Sequence, residues 1–243
     1  MSGQDRVQTI VRPAAALSEA DWQELWELNR RFFDVERWYA ESELFRRELI
    51  ATFRVKGQLV GMACIDILPV RFRGRSIAVI LTTHVLLREE WRGRNLIQTL
   101  GWRTWLRTKL RYPFRPIYWF FDTYSYKSYL LLPRNFVTYW PRRDAPTPET
   151  ERALVDQLAI QNYGGGWRPR RGLVLRSGRE RLLDTTAPLT EAELADPDIR
   201  FFAETNPGHA EGDMLLCLCP LTLQNWISVG RKALERRRRR KMH

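Results

Sequence analysis

One change in hydrophobic periodicity, at residues 88–95, constrains the fold more than any other feature of the sequence. Before it, residues 76–87 are rich in β-branched side chains, which predicts a strand. After it, apolar residues recur at steps of three and four through residue 110, which predicts an amphipathic helix. A strand that enters a helix through a tight turn presents unpaired backbone N–H groups and the positive end of the helix dipole. The join therefore predicts a site for an anion.

The predicted elements on either side of this join define the fold class. Residues 50–55 and 59–70 read as strands that tight turns connect to the strand at 76–87, which predicts an antiparallel meander. Further strands or apolar runs are predicted at residues 7–12, 116–121, 136–139, 172–175, 199–203 and 213–218. Helices are predicted from a capping box at Ser18 onward and at residues 40–49, 96–110, 125–132, 149–161 and 223–234.

This order predicts an α/β (α+β) protein with a mixed, largely antiparallel central sheet flanked by helices. Residues 1–141 are expected to form its core, because three prolines between residues 141 and 148 are typical of a linker. Residues 142–230 are expected to form an α+β extension that packs on the core, and residues 231–243 a basic tail.

The positive charge of the chain is concentrated in two segments. The net charge is +12, with 40 Lys and Arg against 28 Asp and Glu. Residues 70–120 hold eleven basic and two acidic residues, and residues 231–241 hold eight basic residues and one acidic residue. The remainder of the chain is slightly acidic. Such an asymmetry predicts an anionic partner: a phosphorylated ligand, an acidic protein, a lipid surface or nucleic acid.

Cysteine content and hydropathy narrow the classes of protein. Three cysteines without zinc spacing predict neither a disulfide framework nor a metal site. No apolar run reaches the roughly 18 residues that a membrane span needs, and no secretory signal is apparent. We therefore expect a cytoplasmic protein. The basic tail adds a second expectation, which is peripheral contact with the inner face of the membrane.

Over residues 7–141 the sequence resembles the GNAT N-acetyltransferase superfamily. The order strand, two helices, three antiparallel strands, turn, helix, strand and helix is similar to that of the superfamily. Residues 86–97 correspond to its hallmark, Arg/Gln-x-x-Gly-x-Gly/Ala, and retain an aromatic residue followed by Arg-Gly-Arg. Asn95 and Ile97 replace the two later glycines. Because Asn tolerates left-handed backbone angles, Asn95 is expected to hold the turn, whereas Ile97 is expected to crowd a pyrophosphate.

The resemblance implies a binding site for an acyl thioester. In the superfamily the fourth strand, here residues 76–87, splays away from the fifth, here 116–121, and the pantetheine arm lies in the gap. A backbone N–H near Leu86 is then expected to stabilise the oxyanion of the reaction. The residues implied to contact acyl-CoA, or the thioester of an acyl-carrier protein, are Leu86, Leu87, Arg92, Gly93, Arg94, Asn95, Leu96 and Ile97.

Direct attack of an amine on a thioester requires a base and is assisted by an acid. His84 lies on the fourth strand, two residues before the position expected to polarise the carbonyl, and imidazole titrates near neutrality. It is the predicted base, with Glu43 and Asp122 as alternatives. By the resemblance, Tyr129 in the helix after the fifth strand is the predicted acid. A histidine bonded to a neighbouring strand and a tyrosine in the core are the structural alternatives.

Three functional hypotheses follow from the sequence. The first is a GNAT-type N-acyltransferase that uses acyl-CoA or an acidic acyl-carrier protein as donor, with an amine-bearing small molecule or peptide as acceptor. The second is a non-catalytic thioester-binding module on a degenerate GNAT scaffold. The third is nucleic-acid binding, which is disfavoured because the basic residues form no recognisable reading motif. The resemblance and the central basic segment favour the first.

Overall fold

The structure is a computed structural model that describes residues 6–176 and 178–241, without the side chains of residues 236, 237 and 239–241. Within these residues the strands are β1 (Gln8–Pro13), β2 (Phe33–Val35), β3 (Leu49–Val55), β4 (Gln58–Phe72), β5 (Arg75–Leu87), β6 (Ile117–Thr123), β7 (Trp167–Arg168), β8 (Leu173–Val174), β9 (Glu180–Leu182) and β10 (Met214–Pro220). The helices are α1 (Glu19–Asn29), α2 (Arg37–Phe45), α3 (Leu96–Arg111), α4 (Tyr126–Tyr129), α5 (Leu131–Asn135), α6 (Glu149–Tyr163), α7 (Glu191–Leu194), α8 (Pro197–Thr205) and α9 (Leu223–Lys241).

Eight of the described strands form one sheet in the order β1-β3-β4-β5-β6-β10-β8-β7. β5 and β6 pair in parallel, and each of the other neighbouring pairs in this sheet is antiparallel. β2 and β9 form a separate antiparallel pair. The prediction of a mixed, largely antiparallel sheet flanked by helices is therefore confirmed.

Two tight turns build the central meander, as the sequence predicts. Lys56 and Gly57 connect β3 to β4 with φ of 50° and 84°, and Arg73 and Gly74 connect β4 to β5 with φ of 45° and 77°. Two consecutive residues with positive φ match the right-handed twist of the strands they join. The register between the three strands is therefore set by residues that are neighbours in the sequence.

Helices cover both faces of the sheet. On the first face, α1 and α6 pack their buried leucines, such as Leu25 and Leu158, against Leu81 of β5 and Phe120 of β6. On the second face, α3 packs beside β5 through Leu100. The helices α4, α5 and α8 cover β6 and β10 on that same face, in a second cluster of buried residues.

The segment predicted as a C-terminal extension contributes to the main sheet. β10 pairs with β6 from Leu215–Thr123 to Pro220–Tyr118, so sheet pairing crosses the predicted boundary at residue 141. α6 packs on the first face, and β9 pairs with β2 of the N-terminal part. Residues 142–230 therefore complete the sheet and supply helices to both of its faces, α6 to the first and α8 to the second.

Local signals account for the helix termini, and one of them corrects a prediction. The capping box at Ser18 and Asp21 is present at the start of α1, as predicted. Residues 199–203, predicted as a strand, lie in α8. Asp196 accepts the backbone N–H of Asp198, and Pro197 occupies the first helical position, so the chain is set to begin a helix there. Among the residues described, no helix combines the length and the apolarity needed to cross a membrane.

Candidate functional site

The two parallel strands separate at one end of the sheet. The register between β5 and β6 ends at the pair Thr82–Phe121, although β5 continues to Leu87 and β6 to Thr123. This separation lies at the carboxyl ends of both strands, directly before the turn at residues 88–95. The sequence predicts the thioester at this place.

A β-bulge lies on β5 at the separation. The register between β4 and β5 shifts between Met62 and Cys64, so that His84 and Val85 of β5 together face the single residue Ala63 of β4. His84 has φ of 48°, in the left-handed region that a residue with a side chain seldom adopts. A bulge re-aims side chains and interrupts the ladder of backbone hydrogen bonds. Leu86, near which the oxyanion donor was predicted, is back in register with β4 opposite Met62.

The side chain of His84 is buried against a carboxylate from the C-terminal part of the chain. Its Nε2 atom lies 2.9 Å from Oε1 of Glu180 on β9. Tyr124, just after β6, donates its hydroxyl to Oε2 of the same carboxylate at 2.7 Å. The ring of Phe33 on β2 covers both aromatic groups, with centroids 5.8 Å from His84 and 5.3 Å from Tyr124. The paired strands β2 and β9 thus close over the bulge.

A second set of hydrogen bonds leads from His84 to β6. Nδ1 of His84 lies 3.1 Å from the hydroxyl of Thr83, and that hydroxyl also lies 3.1 Å from Oδ1 of Asp122. Tyr163 of α6 donates to Oδ2 of Asp122 at 2.7 Å. Asp122, one of the alternative bases, therefore lies within hydrogen-bond distance of two hydroxyl groups.

These contacts limit the protonation states of the imidazole. Glu180 as a carboxylate only accepts hydrogen bonds, so the proton facing it belongs to Nε2 of His84. The single hydroxyl proton of Thr83 has two arrangements. When it points to Asp122, Nδ1 of His84 is protonated and the ring is an imidazolium. When it points to Nδ1, the ring is neutral and Nδ1 is the basic atom. The geometry accommodates both states.

Electrostatics keep Glu180 ionised although its side chain is fully buried. Burial alone would raise the pKa of this carboxyl. The charge and hydrogen bond of His84, the hydroxyl of Tyr124 and the charge of Arg176 outweigh burial and lower the pKa to about 2. Conversely, burial raises the pKa of Tyr124 well above its usual value. At neutral pH Glu180 is therefore a carboxylate and Tyr124 a neutral hydroxyl.

A row of ion pairs continues from this site along the first face of the sheet. Arg176 lies 3.1 Å from Glu43 of α2, and Arg47 lies 3.6 Å from the same carboxylate. Arg47 also binds Asp66 of β4 at 2.9 Å. Burial would raise the pKa of Glu43, but Arg176 and its neighbours lower it. Glu43, the other alternative base, is thus held in its ionised form.

The row ends at a cavity of about 420 Å³. Arg47 and Asp66 line it together with Arg46, Glu48, Leu68, Gln161 and Asn162. Asp66 pairs with Leu81 of β5, two residues before Thr83, so the cavity and the bulge lie on the same face and close along the strand. In the part of the chain that the structure describes, no group of three His, Cys, Asp or Glu side chains could hold a metal ion.

The structure does not bring Tyr129, the predicted acid, to His84. Tyr129 is fully buried in the cluster on the second face, and its hydroxyl donates to the carbonyl of Pro141 at 3.2 Å. His84 contacts Phe33, which belongs to the cluster on the first face. The sheet lies between the two side chains. Tyr124, five residues earlier in the chain, is the tyrosine that reaches the His84 site.

The turn between β5 and α3 has the predicted backbone. Gly93 has φ of 73°, and Asn95 caps α3 in the left-handed conformation with φ of 57°, which confirms that Asn95 holds the turn. Arg94 lies over the ring of Trp91 at 4.1 Å, and Nε of Arg92 donates to the carbonyl of Leu87 at 3.2 Å. Leu96 and Ile97 are half-buried against the cluster beneath α3. The first turn of α3 therefore presents its N–H groups beside two guanidinium groups.

No protein-family model matches this sequence, and no curated protein matches it. The similarities are to solved structures. A ribosomal-protein-alanine N-acetyltransferase from Brucella melitensis is 15% identical, with a TM-score of 0.40 over 59% of this chain and 96% of that chain. An acyl-CoA N-acyltransferase from Pseudomonas aeruginosa is 18% identical, with a TM-score of 0.36 over 47% and 79%. A GNAT-family N-acetyltransferase from Escherichia coli, in complex with CoA, is 16% identical, with a TM-score of 0.35 over 50% and 66%.

The topology agrees with the expectation from the sequence. A meander leads into a bulged strand, a basic turn and a helix, and the next strand pairs in parallel before it separates. This arrangement of elements is the one that the resemblance to the GNAT superfamily implies. Sequence reasoning missed Glu180, Thr83 and Arg176 as members of the site. Thr83 also had its position beside His84 as a signal. Glu180 and Arg176 had only their residue type, because they reach the site when distant segments of the chain come together.

Proposed function

We propose that the protein is an N-acyltransferase that moves an acyl group from a CoA thioester to an amine. The observation that carries the proposal is the separation of β5 and β6 beside a bulged strand, with a basic turn at the same end of the sheet. The turn would bind the phosphate-bearing part of the donor, and the gap between the strands would hold its thioester. Backbone N–H groups at the start of α3, with Arg92 and Arg94, would hold its phosphates.

His84 is the base in this proposal, and Nδ1 is its reacting atom. Glu180 would hold the Nε2 proton and so keep the lone pair on Nδ1, and it would stabilise the imidazolium that forms. Since His84 is buried, the hydroxyl of Thr83 would pass the proton from the ammonium group of the acceptor to Nδ1. Once Nδ1 carries the proton, the hydroxyl of Thr83 would donate to Asp122 instead.

The bond changes of the reaction balance without a metal or redox partner. The amine nitrogen loses its proton to His84 and forms the C–N bond to the thioester carbonyl. The oxyanion that results would accept a hydrogen bond from the backbone of the bulge at residues 84–86. The C–S bond then breaks, the nitrogen releases its second proton as the amide forms, and the thiolate takes up a proton and leaves as a thiol. Tyr129 stays a predicted source of that proton. Measuring kcat and the free energy of unfolding of Tyr129→Phe tests this role, because loss of an acid lowers kcat whereas loss of a packing contact lowers stability.

The cavity at Arg47 and Asp66 is the proposed entrance for the acceptor. It opens on the face that holds His84, and buried ion pairs connect it to Glu180 through Arg176. Its lining contains side chains of both signs, which suits an amine that also carries polar groups. A small amine and a peptide N-terminus both fit this description. The thioester of an acidic carrier protein is the alternative donor, because the basic segment at residues 70–120 would attract it.

The decisive experiment combines binding and turnover. Thermal-shift and intact-mass measurements with CoA, acetyl-CoA, longer acyl-CoAs and an acyl-carrier protein report donor binding. Release of free thiol in the presence of amines and peptides reports transfer. We expect His84→Gln and Thr83→Val to lower kcat by roughly 10²–10⁴-fold, as for loss of a general base. His209→Gln is the matched control, since His209 contacts Phe202 in the cluster on the second face and is expected to leave kcat unchanged.

A thioester-binding module without catalysis is the second candidate. The observation that favours it is that both ring nitrogens of His84 already have partners in a buried site. This candidate predicts a thermal shift with thioesters and no thiol release with any amine, and the same thermal shift for His84→Gln. Absence of both binding and turnover with every thioester contradicts the two candidates together.

A further inference from the structure

An apolar and basic surface is exposed on the second face of the molecule, formed by α3 and α9. We call it the α3/α9 surface. Large apolar side chains are rarely left in water in rows. Those exposed here are Trp102, Leu106 and Leu110 of α3, Phe114 just after it, and Leu223, Ile227 and Leu234 of α9. They account for most of the exposed large apolar side chains in the described residues, although the two helices are a small part of the chain.

On α3 the exposed side chains form two parallel rows. Leu106 and Leu110 are four residues apart and share one side of the helix. Arg103, Arg107 and Arg111 are also spaced by four and follow the neighbouring side, and all three are exposed. Trp102 borders the leucines on the side away from the arginines. The outward half of α3 is therefore an apolar row with a basic row along one edge.

α9 repeats the arrangement in the opposite order across the surface. Leu223, Ile227 and Leu234 lie on one side of the helix, and Arg231 and Arg238 are exposed next to them. Trp226 lies on the other edge of this apolar row, towards α3. Because Trp226 faces α3, the two basic rows lie on the outer edges and the two apolar rows lie between them.

An aromatic cluster joins the two helices. Trp102 stacks on Trp105 with ring centroids 4.8 Å apart, and Trp226 meets Trp102 edge-on at 4.8 Å. The ring of Trp226 also lies 5.3 Å from that of Trp105. Edge-to-face and stacked rings favour fixed relative orientations. The two apolar rows are therefore held together as one continuous surface.

The charge around this surface is predominantly positive, although Arg231 lies 3.7 Å from Glu235. Residues 91–121 contain no Asp or Glu, and residues 231–241 contain a single Glu. Apolar rows between rows of arginine complement an interface with anionic groups above an apolar layer. A bilayer rich in anionic lipid has both properties in one plane, because phosphates bind arginine while leucine and tryptophan enter the acyl boundary.

We propose that the α3/α9 surface binds an anionic membrane surface. The contact involves two folded helices, and it extends the expectation of a membrane-seeking tail to a structured surface that includes α3. The helices lie in the plane of the interface and do not cross it. The proposal does not depend on the acyltransferase activity, since none of its residues lies at the His84 site.

The test is sedimentation of the full-length protein with vesicles of phosphatidylcholine alone and of phosphatidylcholine with phosphatidylglycerol. We expect binding to the anionic vesicles and its weakening by salt. Arg103→Gln, Arg107→Gln and Arg111→Gln combined should lower the partition coefficient about a hundredfold, since each basic residue near such a surface contributes roughly fivefold. Leu106→Ser, Leu110→Ser and Ile227→Ser combined should lower it by at least roughly tenfold, through loss of apolar insertion.

Control variants carry three Arg→Gln changes, or two apolar-to-Ser changes, elsewhere on the protein. Arg152→Gln, Arg170→Gln and Arg171→Gln alter net charge equally on α6 and beside the β7–β8 turn, and Trp38→Ser with Ile160→Ser removes exposed apolar groups on the first face. Both controls should bind vesicles like the unmodified protein, and circular dichroism confirms the fold of every variant.

Three results overturn the proposal. The first is absence of binding to anionic vesicles. The second is equal binding by the surface variants and their controls, which would assign the contact to the basic tail alone. The third is a dimer, detected by light scattering, that the same α3 and α9 substitutions dissociate, together with no binding to vesicles. That result would make the surface an interface between copies of the chain.

Discussion

Glu180→Gln tests the buried pair that connects β9 to the β5 bulge. The substitution keeps the size of the side chain and its hydrogen bond to Tyr124, and it removes the negative charge that faces His84. Both members of the pair are buried, so water cannot replace the lost partner. The Nε2–H group of His84 is then buried without its charged partner, and this lowers the free energy of unfolding.

The magnitude follows from the pKa of Glu180. Its shift from 4.5 to about 2 corresponds to about 3 kcal/mol of stabilisation at pH 7. Because the pKa in the folded state is below that in the unfolded state, the stabilisation is complete above the unfolded value. It decreases as the pH falls towards 2, to roughly 1 kcal/mol at pH 3. The pair is thus a source of stability at neutral pH that acid removes.

The assay is a double-mutant cycle in urea. Unfolding of the protein with His84→Gln, Glu180→Gln, both changes or neither gives the coupling energy at pH 7 and pH 3. Because Tyr124 and Arg176 also contribute to the shift of the Glu180 pKa, we expect the coupling energy at pH 7 to lie between roughly 1 and about 3 kcal/mol, and to fall clearly at pH 3. Glu27→Gln is the control, since Glu27 pairs with Arg30 on the surface and such pairs contribute below about 1 kcal/mol. A coupling energy no greater than that of a surface pair, or one independent of pH, refutes the reasoning.

Further substitutions test the bulge and the donor site. Gly61→Ala places a Cβ 2.7 Å from the carbonyl oxygen of Leu86 and should lower the free energy of unfolding by about 2 kcal/mol. Gly101→Ala on α3 meets nothing within 4 Å and should raise it by up to about 1 kcal/mol, so equal effects in urea unfolding would contradict the close approach. Arg92→Gln with Arg94→Gln should raise the Kd for CoA by at least roughly tenfold in calorimetry, and an unchanged Kd places the phosphates elsewhere.

The sequence determined the features that depend on neighbouring residues. The Lys56–Gly57 and Arg73–Gly74 turns and the capping box at Ser18 are local signals, and each appears where predicted. Asn95 adopts the left-handed conformation that its side chain tolerates. The strand, basic turn and helix at residues 76–111 follow from periodicity, because one face of each element must be buried.

Tertiary structure decided which of these residues meet. His84 and Glu180 are 96 residues apart, and they are joined because β9 pairs with β2 above the bulge. Tyr129 and Tyr124 have the same chemistry and lie in the same segment, but the chain turns Tyr129 to the second face of the sheet and Tyr124 to the first. Side-chain type therefore predicted a histidine at the site, whereas its partners depend on long-range strand pairing that no local pattern encodes.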